Sequence, residues 1–168
     1  MISDMAAGLV SIRYGFRGAN YCTGSACASG GPAIGAAFDQ IRLGKADVML
    51  CGGAEAAVSP MALSGFANMK ALSSRNDEPH RASRPFDRDR DGFVLGEGAG
   101  VLVLEAEDHA RARGATVLGR ILGHGATGDA FHMTQPDNDG NGAQQSMLAA
   151  LRTAGIAPEQ IGHINAHG

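Results

Sequence analysis

The chain has 168 residues, 44% of them apolar, and a formal net charge of −3. That length suffices for one hydrophobic core, and the mild charge excludes the basic footprint of a nucleic-acid binder or a polybasic membrane patch. Apolar runs of a handful of residues exclude a transmembrane helix, and residues 1–20 lack the charged and apolar regions of a secretory signal.

In chain order, Met5, Leu9 and Ile12 share one face of a helix over 5–14, with Gly15 placed as its C-cap. The stretch ANYCTGSA reads as extended. Ile34, Ala37, Phe38 and Ile41 then follow the spacing of a packed helix, with Ser29 as its cap, Pro32 in its first turn and Gly44 at its end. DVMLC at 47–51 and VLVLE at 101–105 are short apolar runs, expected as strands buried on both faces. VLGRIL at 117–122 is a weaker strand. AEDHARARG is a short charged helix closed by Gly114, and a helix over about 143–154 is expected to turn Met147, Leu148 and Leu151 inward. IGHINAHG closes the chain as a strand and turn. Between Arg75 and Asp91 ten residues are charged, which predicts a solvated loop. Alternating strands and helices predict a layered α/β fold with a largely parallel sheet.

Glycine is the compositional outlier. There are 25, about twice the usual ~7% share, interleaved with Val, Leu, Met and Cys, which predicts close backbone packing. GHGATG at 123–128 fits a dinucleotide fingerprint, but DAFHMTQPDNDGNG after it cannot open the helix that motif requires. DRDRDG at 87–92 imitates a calcium loop, yet its twelfth position is Gly98, with Glu97 one residue early. His163 and His167 have H-x3-H spacing without a matching cysteine pair. No metal and no nucleotide are expected. Three unpatterned cysteines, Cys22, Cys27 and Cys51, argue for a reducing compartment, so a cytoplasmic location is expected.

Cys27 stands in TGSACASGGPAIG, among very small neighbours and just ahead of a helix. Unpaired amides and the macrodipole at a helix start favour an anion and could hold an oxyanion. The local reading leaves a nucleophile and a buried inert thiol both open. Cys22 and Cys51 lie in strand-like runs and read as packing residues. Of the six histidines, His167 follows the last strand at the end where α/β sheets gather ligand-binding groups, which makes it the candidate donor or base.

SACASG at 25–30, SRPFDRDRDGFVLGEGAGVLVLE at 83–105 and NAHG at 165–168 closely resemble the β-ketoacyl-acyl carrier protein synthases, nearest the type II elongation enzymes of fatty-acid synthesis. LSSRNDEPHRASRPFD and DAFHMTQP match the same subgroup. The resemblance implies a thiolase-like layered αβαβα fold, here partial, with largely parallel mixed sheets. It places the end of the N-terminal half at about 1–115 and the start of the C-terminal half at about 116–168. It implies a decarboxylating Claisen condensation in which Cys27 carries the acyl chain and His167 assists decarboxylation. Phe66, Met69 and Phe93 would line the acyl tunnel, although Phe66 and Met69 also have ordinary core spacing. Lys70 would meet the acidic acyl carrier protein, and Asp129, His132 and Thr134 would form a loop near the entrance. No cofactor is implied, since the phosphopantetheine belongs to the carrier protein. A homodimer paired near Ala19 to Ser25 is implied. So is a longer enzyme, with a second catalytic histidine, a lysine and the other oxyanion donor beyond Gly168, and a piece that is inactive alone. A polyketide ketosynthase and a non-catalytic chain-length partner are the alternatives; the latter usually lacks the cysteine.

Overall fold

The structure, a computed structural model, describes residues 2–167. The chain divides into two compact units: Met1–Gly53 with Val101–His163, and Ala54–Gly100 with Ile164–Gly168.

The first unit contains α1 (Met5–Tyr14), α2 (Gly30–Arg42), α4 (Glu107–Ala112) and α5 (Asn141–Ala154); α3 (Pro60–Asn68) belongs to the second. Two strands, β1 (Val48–Glu55) and β2 (Gly98–Glu105), pair as a two-stranded sheet. Ala106 N–H donates to the Asp47 carbonyl at 2.9 Å, and the Cys51 thiol lies 3.9 Å from the Leu102 carbonyl. Those two contacts fix an antiparallel register with Leu50 opposite Val103. The chain is thus a partial α/β fold, and this one ladder is an antiparallel pair of the kind a mixed sheet contains.

The helices obey their sequence signals at the ends. Gly15 closes α1 in the left-handed region, and Gly155 does the same for α5. Ser29 departs from expectation. It has helical backbone angles, so its hydroxyl does not reach the first helical amides. Instead it accepts from Ser25 N–H at 3.0 Å and donates to the Ala26 carbonyl at 2.6 Å. At α5 the missing cap is supplied from upstream, where Asp137 accepts from the Asp139 and Asn141 amides and the Asn141 side chain. The Asp139 amide, followed by the Asn141 side chain, lowers the Asp137 carboxyl below its ordinary value.

Apolar burial is confined to small side chains. Ala37, Cys51, Ala82 and Ala110 are the buried hydrophobic residues among those described. Cys51 on one row of β1 is buried, but the opposite row is open: Val48, Leu50, Val101 and Val103 are all exposed, the two valines of β2 by more than 60%. The strands are therefore not covered on both faces by the described residues. Met5, Leu9 and Ile12 of α1 are likewise exposed, as is Met147 of α5, while Leu148 and Leu151 are half-buried. Segments 117–122 and 161–166, expected as strands, run without a ladder partner. A strand exists only by pairing, and no described segment offers its backbone to either one.

Ion pairs bind α4 to its surroundings. Glu105 accepts from Arg113 through a fork of 2.7 and 2.6 Å, and its Oε1 also meets His109 Nδ1. The Arg113 bonds, then His109, hold the Glu105 carboxyl at about 2, down from an ordinary 4.5. Glu107 is held at about 2 by Arg120 and then Arg111. The unfolded chain takes up these protons first as pH falls. The stabilisation is therefore complete above 4.5, drains away as pH drops, and is gone below about 2. Glu105→Gln is expected to flatten that acid limb, as measured by unfolding midpoints across the same pH window.

Candidate active site

Cys27 lies on a tight turn that delivers the chain into α2. Ala28 N–H donates to the Ser25 carbonyl at 3.1 Å, Ser29 N–H to Ala26 at 3.0 Å, and Gly31 N–H to Ala28 at 2.9 Å. Ala26 has φ +49°, the left-handed region that costs a side-chain-bearing residue about 1 kcal/mol or more. The Ser25–Ser29 hydroxyl bonds, and the Thr23 hydroxyl donating to the Ser29 carbonyl at 3.0 Å, brace the strained residue. The result is a sulfur on the outside of a bend. Cys27 is exposed, which decides against a buried inert thiol. Behind the turn, the first residue of α2 lies against β1: a Cβ on Gly53 would stand 3.6 Å from the Gly30 Cα.

The other cysteines separate. Cys51 is buried, and that burial raises its thiol above the ordinary value. Cys22, expected to pack, is exposed, because residues 16–24 form no ladder that would cover it.

Segment 123–137 runs along α5 in the same unit. A Cβ on Gly123 would stand 2.5 Å from Ala154 N and 2.8 Å from the Ala150 carbonyl, and one on Gly125 would run into the Ser146 carbonyl. The fingerprint-like glycines are thus a docking strip for α5. The Thr127 hydroxyl donates to the Gly142 carbonyl at 2.7 Å, and Asp129 abuts Gly142 and accepts from Asp137 N–H at 3.0 Å. Beyond it, Ala130 turns the chain at φ +51°, and His132 Nδ1 accepts from the amides of Thr134 at 3.2 Å and Gln135 at 3.1 Å. Asp129, His132 and Thr134 therefore share one exposed loop, stitched by its own backbone.

The second unit brings Phe66 and Phe93 together, edge to face at 5.2 Å between ring centres. α3 was not foreseen as a helix. Its start is marked by Ser59, whose side chain accepts from Ala62 N–H, and by Pro60 in the first position. Met69 is its exposed C-cap. Lys70 follows at φ +55°, turning the chain out of the helix with its N–H on the Ala67 carbonyl at 2.9 Å. Phe93 is held by a parallel bridge to Leu72, in which Phe93 N–H donates to Ala71 and Ser73 N–H donates to Phe93, each at 3.0 Å.

The charged loop is fastened at both ends. Asp91 accepts from the Ser73 hydroxyl at 2.6 Å and from the Ser74 amide and hydroxyl at 3.0 and 3.1 Å, with Arg75 beside it. The Ser73 bond first, then the Ser74 amide, bring the Asp91 carboxyl to about 2. His167 is exposed in the extended final segment of the second unit, and Cys27 belongs to the first.

The chemically distinctive feature of the first unit is thus an exposed cysteine on a strained bend before a helix, in a partial α/β fold. Residues 1–110 match the beta-ketoacyl synthase N-terminal domain and residues 118–168 its C-terminal domain. The chain belongs to the β-ketoacyl synthase family. It is 52% identical over 168 residues to the 3-oxoacyl-[acyl-carrier-protein] synthase 2 of Synechocystis sp., covering all of this chain and 40% of that protein. A beta-ketoacyl synthase from Burkholderia phymatum is similar in structure, with a TM-score of 0.92 at 46% identity over 98% of this chain and 40% of that one. A type II PKS acyl-carrier protein in complex with its ketosynthase bound to the hexaketide matches with a TM-score of 0.88 at 39% identity, over 92% of this chain and 38% of that one. The fold is thus that of the ketosynthases. The chain spans about two fifths of the length of the curated relatives it matches.

Proposed function

We propose that the full-length protein condenses acyl and malonyl groups carried on acyl carrier protein, as a 3-oxoacyl-acyl carrier protein synthase of fatty-acid elongation. The observation that carries this is the exposed Cys27 on its bend ahead of α2, in a chain about half identical to proteins of that name. The Cys27 sulfur attacks the carrier's thioester carbonyl, and the phosphopantetheine thiol leaves. Malonyl carrier protein then loses carbon dioxide, and the resulting enolate carbon attacks the acyl-Cys27 carbonyl and expels the thiolate. In this scheme the Cys27 amide is one donor to the oxyanion, and His167 stabilises the enolate oxygen during decarboxylation.

Phe66, Met69 and Phe93 contribute to the acyl tunnel, Lys70 meets the acidic carrier protein, and Asp129, His132 and Thr134 form the entrance loop. The paired rings of Phe66 and Phe93 support the tunnel reading. The enzyme uses no cofactor of its own, works in the cytoplasm as a homodimer, and divides into its two halves near residue 115. A polyketide ketosynthase is the second reading, favoured by the likeness to the hexaketide-bound ketosynthase. Product chain analysis separates the two. A non-catalytic partner is disfavoured by Cys27 itself.

His167→Ala in the full-length enzyme is expected to slow decarboxylation about a hundredfold while leaving acylation of Cys27 intact. Separate assays of labelled carbon dioxide release and of acyl transfer check this. Equal loss of both steps contradicts the assigned role.

A further inference from the structure

His124 has no part in that reaction scheme, yet its ring is seated with care. It lies over Gly35 of α2, where a Cβ would stand 2.6 Å from its Nδ1 and 3.0 Å from Cγ and Cε1. Its edge meets the Phe38 ring at 5.8 Å and 80°, and Nε2 is 3.2 Å from the Asp39 carboxylate. Residues 35, 38 and 39 are neighbours on one helix face, so the seat is a continuous patch of α2. Arg42 continues it by lying over Phe38 at 5.4 Å.

Gly123 and Gly125 on either side face α5, as alternation in an extended segment requires. The side chain of His124 is one third exposed, so the residue is no core filler. It joins two parts of the candidate site that the backbone leaves apart. α2 starts three residues after Cys27, and segment 123–137 leads into the loop of Asp129, His132 and Thr134.

We propose that His124 is a positioning residue, which through its seat on Gly35, Phe38 and Asp39 fixes the 129–134 loop relative to the helix that follows Cys27. The proposal rests on the condensing reading for its effect on turnover, and on geometry alone for its effect on the loop.

The test uses the full-length enzyme. His124→Ala is expected to lower condensation kcat/KM about tenfold while Cys27 remains as reactive to iodoacetamide as before. His124→Gln, which keeps a donor for Asp39, recovers most of the loss. Gly35→Ala, whose new methyl would push on the ring, is expected to reproduce the loss in the parent and add nothing to His124→Ala. Hydrogen exchange is read in parallel. The Thr134 and Gln135 amides exchange about tenfold faster in His124→Ala, with the middle of α5 unchanged. Parent-like turnover and exchange in His124→Ala overturn the proposal, as do equal costs of Gly35→Ala in both backgrounds. If the condensing reading itself fails, the parent shows no turnover, and the exchange measurement still decides whether His124 holds the loop.

Discussion

Cys27→Ala in the full-length protein is expected to reduce condensation at least about a thousandfold, because covalent catalysis offers no second route once its nucleophile is gone. The side chain of Ala26 already fits the bend at φ +49°, and the Ser25–Ser29 bonds do not involve the sulfur, so the turn should survive the substitution. Folding and activity are thereby separable. Mass-spectrometric mapping after incubation with acyl carrier protein should place the acyl group on Cys27 and leave Cys22 and Cys51 free. Cys22 is the informative control, since it is also exposed yet lies outside the bend. Label on Cys22, or on neither, removes the proposed chemistry.

Gly92→Ala carries a large expected effect on stability. The residue has φ +146°, and a methyl there would stand 2.5 Å from Ser73 N and 2.7 Å from the Ala71 carbonyl, and against the Leu72 carbonyl carbon. Every obstructing atom is main chain, so no rotamer change relieves the clash. The substitution also opens the Leu72–Phe93 bridge and the Asp91 cluster beside it. A loss of about 3 kcal/mol or more is expected, against less than about 0.5 kcal/mol for the control Gly96→Ala. Gly96 is not in the left-handed region and has nothing within 4 Å of the added methyl. Denaturant unfolding of both variants decides the matter. Similar midpoints would mean that the bridge does not hold the second unit.

The helices α1, α2 and α5 were legible because each repeats apolar residues at helical spacing, and α4 because it is a short charged run; each ends within two residues of a glycine. α3 was not, because the small residues of PMALSGFAN separate Met61, Leu63 and Phe66 and Pro60 interrupts the run; the Ser59–Pro60 start was its clearest signal. β2 begins three residues earlier than its apolar run, at Gly98, because backbone pairing extends through glycines that carry no pattern. Segments 117–122 and 161–166 have strand-like composition, but composition does not say whether a partner is present.

At the site, the position of Cys27 before a helix was readable, and its exposure agrees with its small neighbours. The left-handed Ala26 was not readable, because the residues that signal that conformation are glycine, asparagine and aspartate, not alanine. Nor was the seat of His124, whose partner Asp39 is 85 positions away in sequence. Sequence spacing reports contacts within a turn or a strand. It is silent on which distant helix a ring will lie against.

The alternating seating of residues 123–125 has a bearing on how this stretch can drift. Gly123 and Gly125 are barred from gaining any side chain by α5, while Gly128, three positions on, faces nothing within 4 Å. A saturation library across the segment would return a comb, with closed teeth at 123 and 125 and free choice at 128. The nucleotide-like spelling GHGATG is then an accident of helix docking, open to erosion from its last letter first.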